Sequence, residues 1–200
     1  MKKKPGESAK AAPHLEQMGA EFQKFGTVVP LPNSLEIKAC SANVEILNQL
    51  LADTITLRDM YKKHHWQVSG PTFYQLHLLY DKHFEEQSRL VDELAERIQL
   101  LGGVSIAMAA DVAEATAIER PPRGREAPPI QISRLLAAHQ QILETAHEGA
   151  SVANDNGDDG TNDLIVSSLI RTNEFQVWFL SQSVVATPMV TMTESEEAAA

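Results

Sequence analysis

Histidines and carboxylates crowd one stretch of this chain. HHWQVSGPTFYQLHLLYDKH, residues 64 to 83, holds four of the seven histidines, His64, His65, His77 and His83, together with Asp81. A mixed set of imidazole and carboxylate ligands suits iron(II), and zinc or manganese also, so ligand chemistry alone leaves the metal open. His77 and Asp81 are four residues apart, as are Asp92 and Glu96, a spacing that puts each pair on one face of a helix. His65 precedes the turn residues Ser69, Gly70 and Pro71, which let it approach His77. Asp92 lies 15 residues beyond His77, roughly 22 Å along a helix, so one ion cannot be bound by both sets in one chain. Either the chain carries two unrelated half-sites, or two copies pair about a two-fold axis and each half-site meets its complement.

Helices are the elements that must carry these groups. Val44, Leu47, Leu51 and Ile55 keep helical spacing in a first helix that reaches Gln67. Phe73, Leu76, Tyr80, Phe84, Val91, Leu94, Ile98 and Leu101 form the stripe of a second, stopped by Gly102 and Gly103. Residues 104–129 hold one short helical candidate, IAMAADVAEA, and then four prolines, which reads as a connection. A third helix is expected over residues 132–153, the turn NDNGDDGTND follows, and a fourth helix continues to about Ala186. Helices joined short, long, short, with no strand pattern, predict an all-α ferritin-like four-helix bundle. Its one long crossover carries the short helix between the second and third helices.

Metal sites inside such bundles use two Glu-x-x-His motifs on different helices. This chain has one, Glu144 to His147, which reads as a helix-surface pair. His14 reads as tail and His139 as a helix-surface or interface residue. Three units are expected: a flexible basic N-terminal tail over 1–34, the bundle over 35–187, and an acidic C-terminal tail over 188–200. With 43% apolar residues in 200, the chain can bury one substantial core. A net charge of −10 argues against a body built to grip phosphates and suits attraction of cations. Cys40 cannot form an internal disulfide and reads as a small buried residue. No apolar run follows MKKKPGESAK, so neither a signal peptide nor a membrane span is expected and a cytoplasmic protein is the default.

His65-Trp66, Gly70, Phe73, Leu76-His77, Asp81, Asp92, Ala95-Glu96-Arg97 and Leu101-Gly102-Gly103 resemble the signature of the Dps miniferritins, the DNA-binding proteins from starved cells. The similarity runs from about Leu47 to Phe179, with DDGTND and EFQVWFL included. The resemblance implies a dodecameric homo-oligomer, a hollow shell that oxidises iron(II), preferably with hydrogen peroxide, stores ferric iron and protects DNA. It implies a ferroxidase centre between two-fold-related subunits, with His65, His77 and Asp81 from one chain and Asp92 and Glu96 from the other. Trp66 is similar to the family tryptophan beside the iron, thought to accept oxidising equivalents, and packing is its other reading. His64 and His83 do not match ligands and read as surface or neighbouring positions. Arg97 reads as a structural partner of a carboxylate, and Trp178 and Phe179 as core. Asp159 and Asp163 match acidic residues of the three-fold pores, while Asn154 stands where a further aspartate is expected. Lys2, Lys3, Lys4 and Lys10 resemble the basic arms that some Dps proteins use on DNA. The alternative is a nucleoid-structuring, nucleoid-associated DNA-binding protein with minor metal chemistry.

Overall fold

Five helical rods and no strand make up the described part of the chain, which in this computed structural model is residue 13 and residues 15–185. Helix α1 spans Ile37–Gln67, α2 Phe73–Leu100, α3 Ala109–Ala115 and α4 Pro128–Asp155. The last rod is α5, Asp159–Asp163, a π-helical stretch, Leu164–Ile170, and α6, Arg171–Ser181. Short connections make α1 antiparallel to α2 and α4 antiparallel to the last rod. Along α2, Gln87 bonds Asn173 and Gln176, whereas Arg97 bonds Thr161, so rising numbers on α2 meet falling numbers on the last rod. Helices α2 and α4 are therefore parallel.

The crossover makes that possible by climbing along α1. Asn48 receives Ile106 N–H and donates to the Val104 carbonyl, Asp53 accepts from Thr116 Oγ and Ala117 N–H at 2.7 Å each, and Lys63 and Gln67 reach the carbonyls of Gly124 and Arg123. These side chains take up backbone groups of the crossover where regular structure is missing. The four prolines do not all break helices: Pro128 and Pro129 open α4, where the missing N–H would have no partner. Helix three thus starts four residues before the expected Ile132.

Leu47, Leu50, Leu51, Leu57, Leu94, Ile98, Leu135 and Ile142 are fully buried in one core, each adding about 2 kcal/mol of transfer free energy. Helix α2 ends in a Schellman turn: Gly103 N–H returns to Ile98 O at 2.9 Å and Gly102 N–H to Gln99 O at 2.9 Å. Gly102 has φ +79°, and a Cβ there would lie 2.0 Å from Val29 O, so no other residue fits. The segment that approaches so closely is part of the stretch expected as tail. Gln23 and Val29 both donate to Gly102 O and Asn33 to Leu100 O, so residues 23–33 lie against the end of α2. Lys2, Lys3, Lys4 and Lys10, His14 and the acidic residues 188–200 lie outside the described residues.

At the same end, Asp158 caps α5 by accepting from Thr161 N–H and also receives Asn43, Thr161 Oγ and the Arg97 guanidinium. Burial alone would raise its carboxyl pKa, yet the hydrogen bonds from Thr161, the charge of Arg97 and Asn43 hold it below the ordinary range. The structural role expected for Arg97 is this one, and Cys40 is buried as expected.

Candidate metal centre

His65 and His77 face each other across the α1–α2 turn. Gly70, at φ +101°, lets the chain reverse within a few residues. The two rings stack with centroids 3.7 Å apart and planes 20° apart. His65 Nδ1 bonds the His77 backbone carbonyl at 2.8 Å and His77 Nδ1 bonds the His65 carbonyl at 2.9 Å. A carbonyl only accepts, so each Nδ1 must carry a proton, and in the neutral ring it is Nε2 that keeps the lone pair. This reciprocal pair does for both rings what an outer hydrogen-bond partner does for a metal-bound histidine: it sets tautomer and orientation together. Phe73 stacks on the far side of His77 at 5.0 Å.

Asp81, one turn beyond His77, is half-buried and bonds Lys62 Nζ through Oδ1. That hydrogen bond first, then the nearby charges of His65, Lys62 and His77, holds its carboxyl below the ordinary carboxylate value. His65 Nδ1 is 3.8 Å from Asp81 Oδ1, beyond bonding distance, because it is committed to the His77 carbonyl. The Lys62 ammonium occupies the place of a cation on this carboxylate and also lies over the Phe84 ring, 4.3 Å from its centroid.

Asp92 and Glu96 are exposed on α2 and do not approach these groups within the chain. Among the described residues, no three His, Cys, Asp or Glu side chains converge as a group able to hold an ion. Trp66 is 71% exposed, and Phe73, Tyr74 and Leu78 in the first turns of α2 are exposed as well. Asp159 and Asp163 are both exposed, one turn apart, and Asp163 accepts from Ser167 at 2.7 Å. Glu144 and His147 are exposed on α4, as expected, and so are Asn154 and Asp155.

Three expectations about histidines need correction. His64, His83 and His139 are not surface residues: each is fully buried in the centre of the bundle. His139 sits between Leu135 and Ile142, and His83 between Tyr80 and Gln87, at the same three- and four-residue steps as the core. That periodicity was the available signal, and polar residue type masked it. Tyr61 O–H donates to His139 Nε2 at 2.5 Å, His139 Nδ1–H donates to Asn173 Oδ1 at 2.7 Å, and His83 Nδ1 lies 3.2 Å from the Tyr61 oxygen. Both nitrogens of His64, the Tyr80 hydroxyl and His83 Nε2 have no hydrogen-bond partner. Burial pushes His64 and His83 down to about 4 and His139 to about 3, so all three are neutral at pH 7.

Trp178 and Phe179 are corrected in the opposite direction, being 58% and 37% exposed. Helix α6 turns Asn173, Gln176 and Leu180 inward instead, and Phe175, Trp178 and Phe179 cluster with one another on its outer side. The polar interior of the bundle accounts for the exchange, since Gln176 bonds Gln87 and Glu86.

The ferritin-like domain family matches residues 44–190. DpsC from Streptomyces coelicolor has a similar structure, with a TM-score of 0.84 and 49% identity over 86% of this chain and all of that one. An uncharacterised protein of Kitasatospora aureofaciens is 50% identical over 70% of this chain and 93% of its own. The nutrient stress-induced DNA-binding protein of Nostoc sp. is 35% identical over 76% of this chain and 83% of its own. No helix among the described residues is long and apolar enough to cross a membrane. Fold and sequence likeness agree: the chain belongs to the ferritin-like domain family and, within it, to the Dps miniferritins.

Proposed function

We propose that this chain is a ferroxidase that assembles into a dodecameric shell, oxidises iron(II) at centres shared between two-fold-related subunits, and stores the ferric product inside. The observation that carries the reading is the His65–His77 pair, whose locked tautomers present two lone pairs beside the Asp81 carboxylate. Asp92 and Glu96 of a second copy complete the ligand set. Iron(II) is the substrate; zinc and manganese fit the same donor types and compete for them. Hydrogen peroxide is the preferred oxidant, because two irons held together deliver two electrons to one peroxide. Lys62 keeps Asp81 ionised and gives way when the ion arrives. Asp159 and Asp163, repeated around a three-fold axis, draw cations inward through the pore. Trp66 stands next to His65 in sequence, placed to donate an electron to an oxidant formed there.

Removing one ligand from each half of the centre tests the assignment. A His65→Ala, Asp92→Ala chain is expected to assemble, with its native mass unchanged, and to oxidise iron(II) at least about 100-fold more slowly in stopped-flow absorbance, since even outer partners are worth roughly 10–100-fold. A wild-type rate in that variant removes the centre from these residues.

A second reading, DNA binding, is favoured by the likeness to the Nostoc protein, a nutrient stress-induced DNA-binding protein. Lys2, Lys3, Lys4 and Lys10 are the residues for it, each adding a salt-sensitive phosphate contact multiplied over the copies of a shell. Deleting residues 2–10 is expected to abolish retardation of DNA at low salt while assembly and oxidation persist. Equal retardation by the deletion and the full chain sinks the arm as the DNA contact.

A further inference from the structure

A groove of about 540 Å³ runs between α1 and the crossover, and neither the metal centre nor the acidic pore residues line it. Its floor is apolar, with Ile55 and Met60 of α1 facing Val112 and Ile118 of the crossover. Its rim is cationic. Arg58, Lys63 and Arg120 line it, and Arg123 and Arg125 follow in the next five residues of the chain. The carboxylates nearby are already engaged, Asp59 by Arg58 and Glu126 by Arg134. Lys63 bonds neutral acceptors, the Gln67 side chain and the Gly124 carbonyl. Arg120, Arg123 and Arg125 are exposed and pair with no carboxylate among the described residues. On a chain of net charge −10 this is a local excess of positive charge beside an apolar strip.

Charge and reach select the occupant. Residues 188–200, PMVTMTESEEAAA, carry Glu194, Glu196 and Glu197, no basic residue, and the apolar Met189, Val190 and Met192 just before them. Helix α6 passes His83 and Glu86 of α2 through Gln176 and runs from there toward the start of α2. That is the end of the bundle where α1 finishes and Lys63 meets Gly124. From Val185, the last described residue, Met192 is 7 residues on and Glu197 is 12, roughly 24 and 40 Å of extended chain. Two helix spacings, roughly 20 Å, separate α6 from the far side of α1. We propose that this acidic C-terminal segment docks in the crossover groove of its own chain, with Met192 on the floor and the glutamates on the arginines, and screens them from polyanions. Tethering keeps the segment at high local concentration beside its groove, and salt weakens the contact. Bare, the same arginines are a phosphate-binding surface on the body, separate from Lys2, Lys3, Lys4 and Lys10. The docking stands apart from the DNA reading; the screening rests on it.

Docking is read by photo-cross-linking in full-length assembled particles, with p-benzoylphenylalanine in place of Ala113 on the groove wall. A link to residues 188–200 is expected by mass spectrometry, in a band of single-chain mass on a denaturing gel. Its yield is expected to fall about tenfold in Arg120→Glu, Arg123→Glu, which removes exposed ion pairs. Changing Glu194, Glu196 and Glu197 to Lys in that same chain is expected to restore it. A cross-linked band of two-chain mass, or no link to residues 188–200, overturns the docking. Screening is read by DNA retardation at low salt, with native mass confirming assembly. A chain lacking residues 2–10 is expected not to retard DNA. Removing residues 188–200 as well is expected to restore retardation, and Arg120→Glu, Arg123→Glu in that double deletion to abolish it again. No retardation by the double deletion overturns the screening. Undiminished retardation in the chain lacking only residues 2–10 overturns the arm, and, with the segment still present, the screening too.

Discussion

Particles co-assembled from two nearly inactive chains are expected to recover about a quarter of the wild-type rate of iron(II) oxidation. One chain carries His65→Ala and His77→Ala; the other carries Asp92→Ala and Glu96→Ala. Within a chain, the two half-sites are roughly 22 Å apart along α2, so neither variant can repair itself. A two-fold interface makes two centres from each pair of subunits. A mixed pair joins both damaged halves at one centre and both intact halves at the other. Random mixing makes half of the pairs mixed and one centre in two of those intact, which gives the quarter. A centre held within one chain predicts no recovery, since each chain has lost half its own ligands. Mass spectrometry of the intact particles establishes that both variants are present, and activity is read by stopped-flow absorbance. No recovery in such particles ends the shared-centre reading.

The residues that carry this expectation were legible in the sequence because their spacing is local. His77 to Asp81 and Asp92 to Glu96 are helical steps, and the Ser69–Pro71 turn returns His65 toward His77 whatever the rest of the chain does. The bundle was legible for a similar reason: apolar periodicity and one long connection restrict the topology severely. The core polarity was not. A histidine or glutamine at a core step scores as surface in any residue-type reading, and only the tertiary partners show how its cost is met. His139 and Asn173 are 34 residues apart and Gln87 and Gln176 are 89 apart, so no local window contains the answer. Placing Trp178 and Phe179 in the core failed through the same exchange, since the inward positions of α6 were already taken by Asn173 and Gln176. The Lys62–Asp81 pair, 19 residues apart, likewise needs the closed α1–α2 turn before it exists.

The buried histidines also make stability depend on pH well above the carboxylate range. Burial holds His64 and His83 at about 4 and His139 at about 3, whereas an unfolded chain titrates imidazole near its ordinary value, about 6.5. Between those values the unfolded state binds more protons than the folded one, so stability rises with pH there and is lost as pH falls below about 6.5. From pH 7 to pH 5 each histidine costs about 2 kcal/mol, and the three together about 6 kcal/mol. The depressed carboxyls of Asp81, Glu86 and Asp158 act in the same direction but lower, as pH falls from the ordinary carboxylate range through their folded values. A loss between pH 7 and pH 5 therefore belongs to the histidines. Denaturant midpoints of metal-free protein at fixed concentration are expected to fall steeply over that interval. His64→Leu is the discriminating variant, because the ring it removes has no hydrogen bond at either nitrogen. It is expected to reduce the pH dependence by about a third, one proton of three, without lowering stability at pH 7, since an orphaned polar ring gives way to an apolar one. A midpoint unchanged between pH 7 and pH 5 would mean that the bundle admits water to these rings, and the interior described by their hydrogen bonds would then be wrong.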